Sequence, residues 1–170
     1  MIFPEQLKYV LDADTLMRAA RTHYSFDIAQ VFWDGLLQYA QQGIICSIDK
    51  VLDEINNGND ELVTWANNEF SEYFITTQTS VILENYARLI EWAQSQNQYN
   101  QNAKDEFYQI DNADAWIIAF ANTKNLTIVT HEKYNPDIKR KIPIPNVCEA
   151  FNIQYIDLYQ MLKDLGFKFK

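Results

Sequence analysis

Cysteine, histidine, glycine and proline are all scarce in this chain. The two cysteines, Cys46 and Cys148, lie about a hundred residues apart with no paired spacing. Reduced thiols in a core are therefore expected, not a disulfide framework. His23 and His131 are isolated, which leaves a zinc site almost no ligands. Four glycines and four prolines leave little room for long flexible linkers. No apolar run approaches the length of a bilayer-spanning helix. The N-terminal stretch MIFPEQLKYVL has an early acid and no long apolar region, so it does not read as a secretory signal. The expectation is a cytoplasmic protein with no membrane contact. Positive charge is also in deficit: 14 Lys and Arg against 23 Asp and Glu give a net charge of -9. That argues against simple electrostatic binding of nucleic acid. It leaves open an enzyme whose acidic site is screened by divalent cations.

What the chain does have is apolar residues, 48% of its 170. That is enough for one domain with a real core, spanning residues 1–170. Four short apolar runs read as strands: 9–11, 44–46, 126–129 and 153–156. Helical spacing recurs between them. Ile28, Val31, Phe32, Leu36 and Tyr39 mark one helix closed by Gly43. Ser47 is a candidate N-cap for a helix over 48–56. Residues 62–70 and 81–93 are amphipathic, while the polar stretch 94–102 reads as a loop. Residues 113–123 form a strongly apolar helix, and 157–165 a last one stopped by Gly166. Strands alternating with helices predict a three-layer α/β sandwich with a mostly parallel central sheet, with a helical insert at about 59–108.

In such folds ligands bind beyond the carboxyl ends of the strands. Asp12 and Asp14 follow the first strand, and Thr130 and Glu132 the third. Asp111 and Asp114 open the apolar helix, and Glu54 lies in the helix after the second strand. Each has an ordinary structural explanation. Asp14 and Asp111 suit helix caps or first turns. Glu54 could pair with Lys50 one turn away. Asp12 is harder to explain as a cap, because it abuts the strand and capping would fall to a later residue. Taken together, these residues place carboxylate and hydroxyl oxygens at one rim. Hard oxygen donors select Mg²⁺ or Mn²⁺, and such a site could serve hydrolysis of a phosphodiester.

The stretches YVLDADTL (Asp12), VLDEI (Glu54), DAWIIAFA (Asp114) and IVTHE (Glu132) resemble, in order, the acidic motifs of the PIN domain. This nuclease family is common among toxins of toxin–antitoxin modules. The likeness spans roughly residues 8–157, and it is nearest to a PIN-like family of unknown function with a counterpart of IPNVCEAFNIQYIDLYQML. The resemblance implies a PIN-like fold and a Mg²⁺- or Mn²⁺-dependent endoribonuclease. Asp12, Glu54, Asp114 and Glu132 would be its catalytic and metal-holding residues, with Asp14, Thr130 and Asp111 auxiliary. It also implies an RNA substrate, a protein antitoxin and a homodimer. Arg18, Lys133, Lys139, Arg140 and Lys141 are the candidate RNA contacts. Position 14 carries Asp where PIN domains usually carry Asn, Ser or Thr. One alternative is a haloacid-dehalogenase-type phosphatase with Asp12 as nucleophile, since Asp12-Ala-Asp-Thr-Leu resembles that motif with its Thr one residue early. Another is a non-catalytic PIN-like partner-binding module.

Overall fold

The computed structural model describes residues 7–169. Residues 1–6, which belong to the N-terminal stretch that does not read as a secretory signal, lie outside it. Five parallel strands form one sheet: β1 (Tyr9–Leu11), β2 (Ile45–Ile48), β3 (Phe74–Ile75), β4 (Thr127–Val129) and β5 (Tyr155–Ile156). Their order is β3-β2-β1-β4-β5. β1 pairs with β2 on one side (Tyr9 opposite Ile45) and with β4 on the other (Leu11 opposite Val129). From β1 the chain winds outward through β2 and β3, then crosses back to β4 and β5. The gap between β1 and β4 is thus the switch point, where a parallel sheet opens a crevice at its carboxyl rim.

The expected α/β architecture holds, with differences that have local causes. The segment 59–108, expected as a helical insert, contains α4 (Glu61–Asn68), α5 (Ser80–Ser95) and α6 (Gln101–Tyr108), but also the edge strand β3. Two residues are too few to show an alternating pattern. Asp49 secures the chain just after β3. Its carboxylate accepts from the Thr77 N–H at 3.0 Å and the Thr77 hydroxyl at 2.8 Å. α6 begins inside the stretch read as a loop because Asn100 caps it, accepting from Ala103 N–H at 2.8 Å.

α2 (Gln30–Gln41) ends where Gly43 turns the chain at φ 77°, as the glycine suggested. α3 (Asp49–Ile55) is not capped by Ser47. That residue sits in β2, and its hydroxyl donates to the Leu11 carbonyl at 2.6 Å. α7 (Ala113–Lys124) is buried along most of its length, from Ala115 through Ala121. It packs on α5, and left-handed Asn125 (φ 58°) turns it into β4. α8 (Ile144–Phe151) and α9 (Leu158–Asp164) complete the described helices with α1 (Ala13–Arg21). Both cysteines are free and buried, and burial pushes each thiol up to about 12. No described helix is long and apolar enough to cross a membrane.

Candidate active site

A pocket of about 660 Å³ opens at the carboxyl rim of the sheet. Asp12, Glu54, Asp114 and Glu132 all line it, together with Asp14, Asp111 and Glu106. Two cations, Arg18 and Lys141, line it as well. The four ordered acids of the sequence thus reach one place. Glu106 is an addition to the sequence-based set, because its helix α6 begins in the polar stretch. Ala103 and Phe107, buried four residues apart, carry the signal for that helix. Of the basic strip 133–141, only Lys141 enters the pocket, and Lys133, Lys139 and Arg140 are exposed outside it.

Three of these carboxylates are held at helix N-termini, where backbone N–H groups lack intrahelical partners. Asp12 is itself the N-cap of α1, accepting from Thr15 N–H at 2.8 Å. This corrects the expectation that a later residue would cap. The strand passes into the helix with no intervening loop, so the first residue after β1 is the only one in capping position. Glu54 accepts from Ala113 N–H, the first of α7, at 2.8 Å. Glu132 accepts from Ile144 N–H, the first of α8, at 3.0 Å. Three positive helix ends therefore stabilise three negative groups around one crevice. In each case one oxygen is anchored, by Asp12 Oδ1, Glu54 Oε1 and Glu132 Oε1.

The anticipated cap of α7, Asp111, is displaced by Asn112, which accepts from Asp114 N–H at 3.0 Å. Asn112 also donates to the Glu106 carbonyl at 3.0 Å, fixing the turn so that Asp111 stays exposed at the edge. Asp14 sits in the first turn of α1 and pairs with Arg18 at 3.1 Å on the surface. Glu54 does not turn outward to Lys50. The ammonium of Lys50 lies over the Trp116 ring instead, 5.0 Å from its centroid.

The electrostatics of the pocket are those of crowded acids. Asp12 is only 3% exposed, and burial pushes its carboxyl up to about 6. Hydrogen bonding from Thr130 and Thr15 opposes that rise, and the Glu132 charge adds to it. Thr130 is buried, and its hydroxyl oxygen accepts from Glu132 N–H at 3.2 Å. The hydroxyl proton thus remains free for Asp12. Asp114 is raised well above the carboxylate range by desolvation and then by Glu132, with Asp12 and Glu54 contributing. Burial raises Glu54 too, against the Ala113 N–H. Burial alone would lower Lys141, but Glu132, Asp114, Glu106 and Asp14 outweigh it and raise it. Burial and the nearby Arg18 lower His131. It packs against Tyr159, with 5.6 Å between ring centroids.

Mutually repelling, oxygen-only donors are the chemistry that a hard divalent cation relieves, and in that respect the residues fit one. They do not stand as a finished cage. Among the described residues, no three His, Cys, Asp or Glu side chains are grouped closely enough to hold a metal ion as placed.

The comparisons with known proteins bear on the fold. The model of a family described as "Domain of unknown function (DUF4411)" matches residues 9–169. No curated protein matches the chain. One similar solved structure is VapBC2 from Rickettsia felis bound to a DNA fragment from their promoter. It is 15% identical with a TM-score of 0.52, over 92% of this chain and 98% of that one. The five-stranded, all-parallel sheet between helices is a PIN-like three-layer sandwich.

Proposed function

We propose that this chain, which belongs to the DUF4411 family of unknown function, is a Mg²⁺- or Mn²⁺-dependent endoribonuclease and the toxin of a toxin–antitoxin module. The observation that carries this reading is the convergence of Asp12, Glu54, Asp114 and Glu132 on one pocket. They arrive from four different elements, at the switch point of a PIN-like sheet. The fold shared with VapBC2 supports a protein antitoxin as partner. A homodimer and cytoplasmic location belong to the same reading.

The four acids would hold the cation, which when bound supplies positive charge to a phosphodiester and acidifies water. The chain itself does the rest. Helix ends α1, α7 and α8 each hold one oxygen of Asp12, Glu54 and Glu132 before any ligand arrives, which fixes where these carboxylates start from. Thr130 orients Asp12. Arg18 and Lys141 present cations to an incoming phosphate, and exposed Lys133, Lys139 and Arg140 extend that charge along the backbone of the RNA.

The test is cleavage of RNA by purified, antitoxin-free protein with Mn²⁺, with EDTA, and with Asp12→Asn or Asp114→Asn. Cleavage should require the cation and both carboxylates. No cleavage by the wild type, or cleavage that survives both substitutions, overturns the reading. A trapped aspartyl-phosphate at Asp12 would instead indicate the phosphatase alternative. The non-catalytic alternative draws on one observation, the lack of a ready-made metal-ligating trio among the described residues. It predicts no shift in melting temperature with Mn²⁺.

A further inference from the structure

The acid pocket already contains a cation belonging to the chain. Lys141 Nζ stands 3.7 Å from Glu132 Oε2, and the two side chains are 44% and 17% exposed. Glu132 Oε1 is anchored to Ile144 N–H, so Oε2 is the oxygen this carboxylate can offer a ligand, and the ammonium is beside it. A second recess is bounded by Lys141, Asp114, Glu106 and Asn112. Only about 10 Å³ is left in it, the lower limit for one water molecule. The pocket that holds the four acids is roomy, at about 660 Å³, so the conflict is local: a cation bound to Glu132 Oε2 would stand against the ammonium 3.7 Å from that oxygen.

We propose that Lys141 is the resident counter-ion of the pocket, occupying the place beside Glu132 and Asp114 that a divalent cation would take, so that cation binding requires Lys141 to swing out. This rests on the cation-site reading above. Glu132 is engaged by the ammonium, and Asp114 and Glu106 border the recess beside Lys141.

The side chain is built for such a movement. Its backbone is fixed, because Ile142, Pro143 and Ile144 that follow are buried. Its tail is an unbranched stem ending in a compact, strongly hydrated charge that makes no bidentate clamp. Once displaced, the ammonium remains tethered at the rim of the pocket, where a substrate phosphate can use it. The device also limits the repulsion among acids that the fold forces together.

The experiment is titration of full-length protein with Mn²⁺, followed by calorimetry and by thermal melting, for wild type, Lys141→Met, Lys141→Arg and Lys8→Met. Loss of a partly shielded ion pair should tighten Mn²⁺ binding of Lys141→Met by about two- to fivefold. Its melting temperature in EDTA should fall, more at low salt than at high salt. Lys141→Arg should stay near the wild type. Lys8 precedes β1, at the end of the sheet opposite the pocket, so Lys8→Met changes net charge equally and should leave the affinity unchanged. Equal or weaker Mn²⁺ binding by Lys141→Met overturns the proposal, as does equal tightening in Lys8→Met. If neither wild type nor Lys141→Met binds Mn²⁺, the cation-site reading falls and takes this inference with it. Lys141→Gln serves the same comparison if Lys141→Met does not fold.

Discussion

Glu54 and Ala113 lie 59 residues apart, yet the Glu54 carboxylate accepts the Ala113 N–H at 2.8 Å and so caps α7 from α3. One side chain thus carries a structural duty and, on the proposed function, a chemical one, and two substitutions separate them. Glu54→Gln keeps an acceptor for the orphan N–H and should lose only a few tenths of a kcal/mol of stability. Glu54→Ala leaves that N–H unpaired and should lose about 1–2 kcal/mol. If Glu54 also serves the reaction, RNA cleavage falls as far in Glu54→Gln as in Glu54→Ala. Urea unfolding and a cleavage assay on both variants check this. Full activity in Glu54→Gln would leave the residue a cap alone.

The pocket should make stability depend on pH in a stated direction. Burial raises Asp12 to about 6 in the folded chain, against an unfolded value of about 3.9. Between those values the folded state binds more protons, so stability grows as pH falls from 7 toward 4. Above about 6 the carboxylate is ionised in both states, and its desolvation costs on the order of a few kcal/mol. Asp114 and Glu54, raised for the same reason, act in the same sense. In EDTA the melting temperature should be higher at pH 5 than at pH 7.5, and Asp12→Asn should flatten the slope. A melting temperature that climbs from pH 5 to 7.5 would contradict the crowding of the acids.

Gly35 is a packing requirement far from the pocket. A Cβ there would stand 2.5 Å from Phe167 Cε1, in a helix that the C-terminal segment covers. The overpacking should exceed the helix-propensity gain of about 1 kcal/mol, so Gly35→Ala should cost about 0–2 kcal/mol net. Removing the ring in the double variant Gly35→Ala, Phe167→Ala should recover part of that loss, a coupling that urea unfolding of all four chains measures. Strict additivity would show that the contact carries no strain.

Two aspartates near the rim should behave oppositely. Asp49 joins Thr77 to α3 and also accepts from Lys50 N–H at 2.8 Å. Asp49→Ala should destabilise by about 1–3 kcal/mol, since it strands those donors. Asp14 pairs with Arg18 where the side chains are 50% and 54% exposed, so Asp14→Asn should stay within about 0.5 kcal/mol of wild type. Chemical denaturation of the two variants side by side decides it.

The features legible in the amino-acid sequence are those with local periodicity. The apolar run of α7, the strands around Tyr9–Leu11 and Thr127–Val129, and the glycine stop at Gly43 each declare themselves within a dozen residues. The order of the four acids is legible for the same reason, since Asp12 and Glu132 follow such elements, Asp114 opens one and Glu54 lies within one. β3 is too short to announce itself. Glu106 is hidden behind a polar stretch whose helix depends on the Asn100 cap.

By itself the sequence determined that strands alternate with helices, that a core can form, and that Asp12, Glu54, Asp114 and Glu132 come at the ends of those elements. Hydrophobic spacing and chain order suffice for that. Only the tertiary structure decided that Glu54 and Glu132 hold the first N–H groups of α7 and α8, and that Lys141 alone of its basic strip turns into the pocket. Those choices depend on which unpaired N–H groups and charges the packed elements bring within hydrogen-bond reach. No local pattern along the chain encodes that distance.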